Sequence, residues 1–294
     1  MLQRARVYLE MIKFSHTIFA LPFAAIALML AVKRIGEVRL WDVVGVLACM
    51  VFARSAAMGF NRLADRDVDA KNPRTAGRHI PSGVLSAEHV GWFTVVCSLL
   101  FIVSTEFFWL SSGNWLPRAF AVPMLLFLFG YSYGKRFTWL SHLWLGTALA
   151  ASPVAVWVAT LPPGGWLSFF LLAGVVALWV AGFDVIYACQ DFAVDRILGL
   201  HSIPAKFGIA GALWIARILH LLMLFALGAF GWFTPELGRW FWIGFAIIAV
   251  LLVVEHWLAR TQDLAKINLA FFQMNAAIGV VLLTAVGLDL TTSP

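Results

Sequence analysis

"WDVVGVLACMVFARSAAMGFNRLADRDVDAKNPRTAGRHIPSG", residues 41–83, runs from a stretch apolar enough for lipid straight into three aspartates and a cluster of basic side chains. A helix needs about 20 apolar residues to cross about 30 Å of hydrocarbon, and 41–60 is such a window. Others fall near 14–32, 90–110, 116–134, 140–160, 166–188, 211–232, 239–258 and 267–288, nine in all. Barrel strands would be about 10 residues long and alternate in polarity, whereas these segments are longer and apolar throughout. The chain therefore reads as an all-α integral membrane protein, a bundle of nine transmembrane helices, because helices satisfy their own backbone polar groups in lipid.

Composition agrees. Apolar residues make up 62% of the 294 positions and charged residues 12%, against roughly a quarter charged in a soluble domain. The first apolar stretch lacks a small-residue cleavage site, so it is expected to stay as a span, and 1–294 reads as a single transmembrane domain. Most of the 21 Lys and Arg fall on the N-terminus and on alternate loops that share its side. The positive-inside rule then puts the N-terminus and the 61–83 segment on the cytoplasmic side of a bacterial inner or cell membrane. The loops after helices 2 and 6, 70–89 and 196–210, are expected to form a cytoplasmic cap. Topology thus accounts for most of the net charge of +6. A nucleic-acid partner is not expected, since that would need basic residues gathered on a soluble face among aromatic platforms. Cys49, Cys97 and Cys189 sit in or beside spans without CxxC pairing and read as packing residues.

Six of the 15 acidic residues occupy two short segments: Asp65, Asp67 and Asp69 after the second span, and Asp184, Asp191 and Asp195 at the end of the sixth. Arg54, Met58, Asn61, Asp65 and Asp69 follow one another at three- and four-residue intervals, which places them on one helix face. Asp184, Tyr187, Asp191 and Asp195 repeat that spacing. Both Asp65 to Asp191 and Asp69 to Asp195 span 126 residues, so NxxxDxxxD recurs as YxxxDxxxD, as two similar half-sites would. Two carboxylates one turn apart repel unless a cation lies between them. Mg²⁺ takes one or two carboxylates together with water and phosphate oxygens. Two aspartate pairs therefore suit Mg²⁺ ions gripping a diphosphate, whereas a single charged helix end would need no ligand at all. Asp67 points off the shared face and reads as solvated. Arg54, a charge within a span, reads as facing the polar cavity and orienting Asn61 or a carboxylate. Arg66, Arg74, Arg78, Lys135, Arg136 and Lys206 are candidates for the anion through charge-assisted hydrogen bonds. Topology explains each of them singly.

With these residues in place, the chain resembles the UbiA superfamily of membrane prenyltransferases. The resemblance rests on Asn61-xxx-Asp65-xxx-Asp69, "NPRTAGRHIPSG", "YSYGKRFT" and "DVIYACQDFAVDRILGLHSIPAKFG", spread over nearly the whole chain. It implies that Mg²⁺, held by Asn61, Asp65, Asp69, Asp191 and Asp195, binds a polyprenyl diphosphate, with Arg66, Lys135 and Arg136 on the phosphates. The diphosphate ionises and the allylic cation alkylates an aromatic acid acceptor, while the tail lies among membrane lipids behind a lateral opening. The form of the second motif is similar to that of enzymes making ubiquinone from 4-hydroxybenzoate and of relatives using 1,4-dihydroxy-6-naphthoate for menaquinone. Arg62 departs from the commoner NDxxD form of the first motif, which leaves the main ligands intact and the acceptor open.

By the same resemblance Lys13 corresponds to a basic residue near the acceptor carboxylate, a place that membrane anchoring explains equally well. Asp184 is a candidate proton acceptor, and His16 and Tyr187 are candidate substrate contacts. His142, His220 and His256 read as packing or interfacial residues, and Asn268 and Asn275 as hydrogen-bonding between helices. The competing reading is a polytopic transporter with a cation or anion site, since internal repeats with polar residues around a cavity also mark transporters. The two acidic segments sit at helix ends, whereas transport sites lie near the midplane.

Overall fold

The computed structural model describes residues 2–13, 19–260 and 270–292, leaving aside the side chains of 2–5, 270 and 271. His16 and Asn268 lie outside the described residues. The described residues contain no strand. Their helices are α1 (Leu2–Met11), α2 (Leu21–Ile35), α3 (Leu40–Ala64), α4 (Arg66–Lys71), α5 (Ala87–Ser104), α6 (Glu106–Ser112), α7 (Leu116–Tyr131), α8 (Ser141–Thr160), α9 (Trp166–Ala188), α10 (Phe192–Ile197), α11 (Ile203–Trp232), α12 (Arg239–Ala259) and α13 (Asn275–Thr292), with short 3₁₀ turns at Gly134–Arg136 and Cys189–Asp191.

Among the described residues, seven helical stretches are long and apolar enough to cross a membrane: Leu40–Ala64, Ala87–Ser112, Ser141–Thr160, Trp166–Ile197, Ile203–Trp232, Arg239–Ala259 and Phe272–Thr292. The apolar helix α7 is shorter, and α2 has 15 residues, a rise of about 22 Å at 1.5 Å per residue. Large apolar side chains such as Trp92, Leu126, Phe225 and Val253 stand exposed along these helices, as lipid-facing surfaces require.

The chain forms two compact units, Met1–Thr17 with Arg39–Gly134, and Ile18–Val38 with Lys135–Pro294. In the first unit α3 packs on α5, α6 and α7. Its core joins Ala56, Cys97, Phe101, Ala121 and Leu125. The turns of 72–86 connect α4 to α5, and Ser86 caps α5 by accepting the His89 amide at 3.2 Å.

In the second unit α9 is the central helix, packed on α8 and α11, while α2 lies against α8 and α13. Glycine permits the closest approaches: a Cβ at Gly146 would meet the Ala177 carbonyl of α9, and one at Gly182 would meet the His220 ring of α11. Buried Asp289 of α13 accepts the amides of Gly238, Trp240 and Phe241 at 2.8, 3.2 and 2.8 Å, closing the N-terminus of α12. In the same unit Arg34, at the last turn of α2, reaches Glu236 at 2.7 Å and Ser168 at 3.0 Å.

The expected loop over 196–210 is corrected: α11 already begins at Ile203, and the irregular connection is 198–202. Ser202 starts the helix by accepting the Ala205 amide at 3.2 Å, with Pro204 in the first turn. The only interruption of α11 among its described residues is Gly208, at φ 72 and ψ 169, a conformation glycine adopts without penalty.

Candidate functional site

In the first unit the NxxxDxxxD segment is not one continuous helix. Asp65 leaves helical geometry at φ −95 and ψ 1, ending α3 and preceding α4. The turn stays hydrogen-bonded, since the Asp65 amide donates to the Asn61 carbonyl at 3.0 Å and the Asp69 amide to the Asp65 carbonyl at 2.7 Å. Asn61, Asp65 and Asp69 therefore keep the succession that their spacing predicts. Asn61 Nδ2 donates to Asp65 Oδ2 at 2.8 Å and to Ser132 Oγ at 3.4 Å. Arg62 is buried. It donates to Asn61 Oδ1 at 3.4 Å and to the Met11 carbonyl at 3.3 Å. Arg62 thus meets Asn61 from the other side of its amide.

Asp69 is 5% exposed, and one nitrogen of Arg78, Nη1, donates to both its oxygens at 2.7 and 2.8 Å. Thr75 Oγ1 donates to the Asp69 carbonyl at 3.1 Å, and Asn72 Oδ1 accepts the Arg74 amide at 3.0 Å, so side chains and backbone together hold the 72–78 turn. Asp67 is exposed beside Arg66 at 3.6 Å, as expected of a solvated residue.

One expectation changes here. Among the described residues Arg54 bonds neither to Asn61 nor to a carboxylate; its Nη2 donates to the Lys13 carbonyl at 3.2 Å. Lys13 itself is exposed and takes φ 51, the left-handed region that disfavours a side chain. Nearby His79, in the turn after α4, is held below its ordinary pKa by burial, with Glu10 opposing.

The second unit repeats this local fold. Asp191 breaks the helix at φ −97 and ψ 4, after which α10 carries Asp195. Asp195 is 3% exposed. Its carboxylate meets Lys135 Nζ at 3.5 Å, and its carbonyl accepts the Leu200 amide at 2.8 Å. The His201 amide donates to the Lys135 carbonyl at 2.6 Å, so the 198–202 connection is fastened to the residue that holds Asp195. Both segments thus place a buried aspartate, four residues beyond a helix break, against a cation of its own unit. Tyr187 is half-buried, Arg136 and Arg74 are exposed, and Lys206 lies 4.5 Å from the Trp139 ring centre.

His142 packs inside the unit, as read from the sequence, and is in addition the partner of Asp184. Its Nδ1 lies 2.7 Å from Asp184 Oδ2, and the imidazole is fully buried. Their separation of 42 residues leaves no local pattern to read, so only the packing of α8 on α9 brings them together. His220 and His256 do pack inside the unit, 3.0 Å apart. Asn275 does bond between helices, accepting from Trp179 at 2.6 Å and donating to Glu255 at 2.9 Å.

Among the described residues no group of three or more His, Cys, Asp or Glu could enclose a metal ion. The candidate donors are instead hard oxygens in two small sets, Asn61 with Asp65 and Asp69, and Asp191 with Asp195, each with two carboxylates. That is the number of carboxylates Mg²⁺ takes when water and phosphate oxygens complete its shell.

Comparisons with known proteins define the class. The model of the UbiA prenyltransferase family matches residues 20–277, and the chain belongs to that family. A 4-hydroxybenzoate octaprenyltransferase of Nitrosomonas eutropha is 28% identical over 248 residues, covering 81% of this chain and 80% of the relative. A UbiA homolog of Aeropyrum pernix K1 in its apo form superposes with a TM-score of 0.81 at 29% identity, covering 94% of this chain and 98% of that one. A UbiA homolog of Archaeoglobus fulgidus bound to GPP and Mg²⁺ shares the fold at a TM-score of 0.65 and 14% identity, over 96% and 99% of the two chains. The resemblance seen in the sequence motifs is borne out, and the transporter reading gains nothing from these matches.

Proposed function

We propose that the protein transfers a polyprenyl group, in a Mg²⁺-dependent reaction, from its diphosphate to the ring of a hydroxylated aromatic acid in quinone biosynthesis. The observation that carries this reading is the matched pair of half-sites, each with a buried aspartate one helical step beyond a break and a cation beside it. The relatives named for 4-hydroxybenzoate favour that acceptor. The form of the second motif leaves 1,4-dihydroxy-6-naphthoate as the alternative.

Asn61, Asp65, Asp69, Asp191 and Asp195 would hold Mg²⁺ on the diphosphate, and the metal would neutralise charge developing on the leaving group. Arg66, Arg74, Arg78, Lys135 and Arg136 supply cations for the phosphate oxygens. Lys13 and His16 serve the acceptor, and Tyr187 contacts substrate. Asp184 takes the ring proton. The apolar interior keeps water from the allylic cation, which would otherwise end as an alcohol. In the membrane, α2 and α7 join the seven longer stretches to give nine spans of a single domain. The basic N-terminus and both aspartate segments then face the cytoplasm of a bacterial inner membrane.

The test uses membranes containing the full chain, one polyprenyl diphosphate, and 4-hydroxybenzoate or 1,4-dihydroxy-6-naphthoate, with and without Mg²⁺. Prenylated product should form with one acceptor, vanish on chelation, and fall at least about 100-fold in Asp65→Ala and Asp191→Ala. Folded variants of full activity would overturn the reading.

A further inference from the structure

Asp184 lies seven residues before Asp191, and the described residues give it one hydrogen-bond partner, His142. The opposite face of that imidazole settles how the bond is made. His142 Nε2 accepts the backbone amide of Ile203 at 3.3 Å. An amide can only donate, so Nε2 carries the lone pair and the ring proton sits on Nδ1. The 2.7 Å contact is therefore His142 Nδ1–H donating to Asp184 Oδ2. The Ile203 amide is one of the N–H groups that the start of a helix leaves without a partner, so the beginning of α11 selects the tautomer.

These contacts continue through the 198–203 connection. His201 donates to the Lys135 carbonyl, Leu200 donates to the Asp195 carbonyl, and Lys135 approaches the Asp195 carboxylate. A chain of bonds within one unit thus links Asp184 to the second aspartate motif, and the fully buried His142 is the member that touches Asp184.

We propose that His142 is a positioning residue, which holds Asp184 aimed to receive the proton released by ring alkylation. The proposal rests on the prenyltransfer reading above. In that step the allylic C–O bond breaks with its electron pair going to diphosphate, and a ring π pair forms the new C–C bond. The proton on that ring carbon then passes to an Asp184 carboxylate oxygen. The Nδ1–H bond occupies Oδ2 and so fixes which oxygen is left for the proton.

Two substitutions separate this role from helix capping. His142→Asn places an amide N–H near Nδ1 and cannot reach the Ile203 amide. His142→Gln places a carbonyl oxygen near Nε2 and gives up Asp184. Steady-state kinetics of the full chain in membranes, with polyprenyl diphosphate and 4-hydroxybenzoate, should show kcat within about threefold of wild type for Asn and down by about 100-fold for Gln. KM for the diphosphate should stay unchanged in both. In an Asp184→Asn background neither substitution should lower kcat further, because His142 acts through Asp184. Retention in Gln with loss in Asn, equal losses in both, or additive losses in the double variants would overturn the proposal. Wild-type protein that consumes no diphosphate with either acceptor would instead overturn the function on which it rests.

Discussion

The pair Asp69 and Arg78 joins a carboxylate that is 5% exposed to a guanidinium reaching it from nine residues on. Removing the cation strands the charge, so Arg78→Ala should cost about 2 kcal/mol of stability, within the range for an unsatisfied buried group. Thermal unfolding in detergent checks this, and Arg78→Lys should restore part of the loss. Glu255 offers the opposite case: fully buried, it accepts one hydrogen bond, from Asn275 at 2.9 Å, and its Oε2 has no hydrogen-bond partner among the described residues, with His220 Nδ1 3.9 Å away. Glu255→Gln keeps that acceptor and should leave unfolding within about 0.5 kcal/mol of wild type. Glu255→Leu should cost about 1–3 kcal/mol by orphaning the Asn275 amide.

Among the elements, the connection between α11 and α12 carries a titratable clasp. Burial pushes the Glu236 carboxyl up, but the hydrogen bonds and charge of Arg34 more than offset this and hold it below its ordinary value of 4.5. A depressed acid contributes stability that is fully present above its unfolded pKa and is lost as pH falls through the folded one. Unfolding temperature should therefore drop as pH falls below about 4.5, and Glu236→Gln should flatten that part of the profile. Element existence was legible because windows of about 20 apolar residues have few other uses. The boundaries were less so. Ser202 and Pro204 move the start of α11 forward into the expected cap loop, since a capped helix start costs less than a longer irregular loop. The helix breaks at Asp65 and Asp191 leave the i, i+4 succession intact, so spacing alone had no means of detecting them.

For the whole molecule, the candidate site was legible where its residues are close in sequence, as in the two aspartate motifs. It was not legible where packing sets the partners: nothing local joins His142 to Asp184, and Arg54 gave no sign that it would choose the Lys13 carbonyl. If Mg²⁺ serves the diphosphate and not the fold, chelation should abolish transfer while shifting the unfolding temperature by no more than about 2 °C, because Arg78 and Lys135 already balance the buried aspartates. A larger loss on chelation would make the metal a structural ligand as well.

That local balance also bears on how the chain is made. Asp69 meets its cation nine residues later, and Asp195 meets one placed 60 residues earlier. The cation for the first aspartate thus follows it within nine residues, and the cation for the second is already made when Asp195 is added, so neither pair depends on a residue of the other unit.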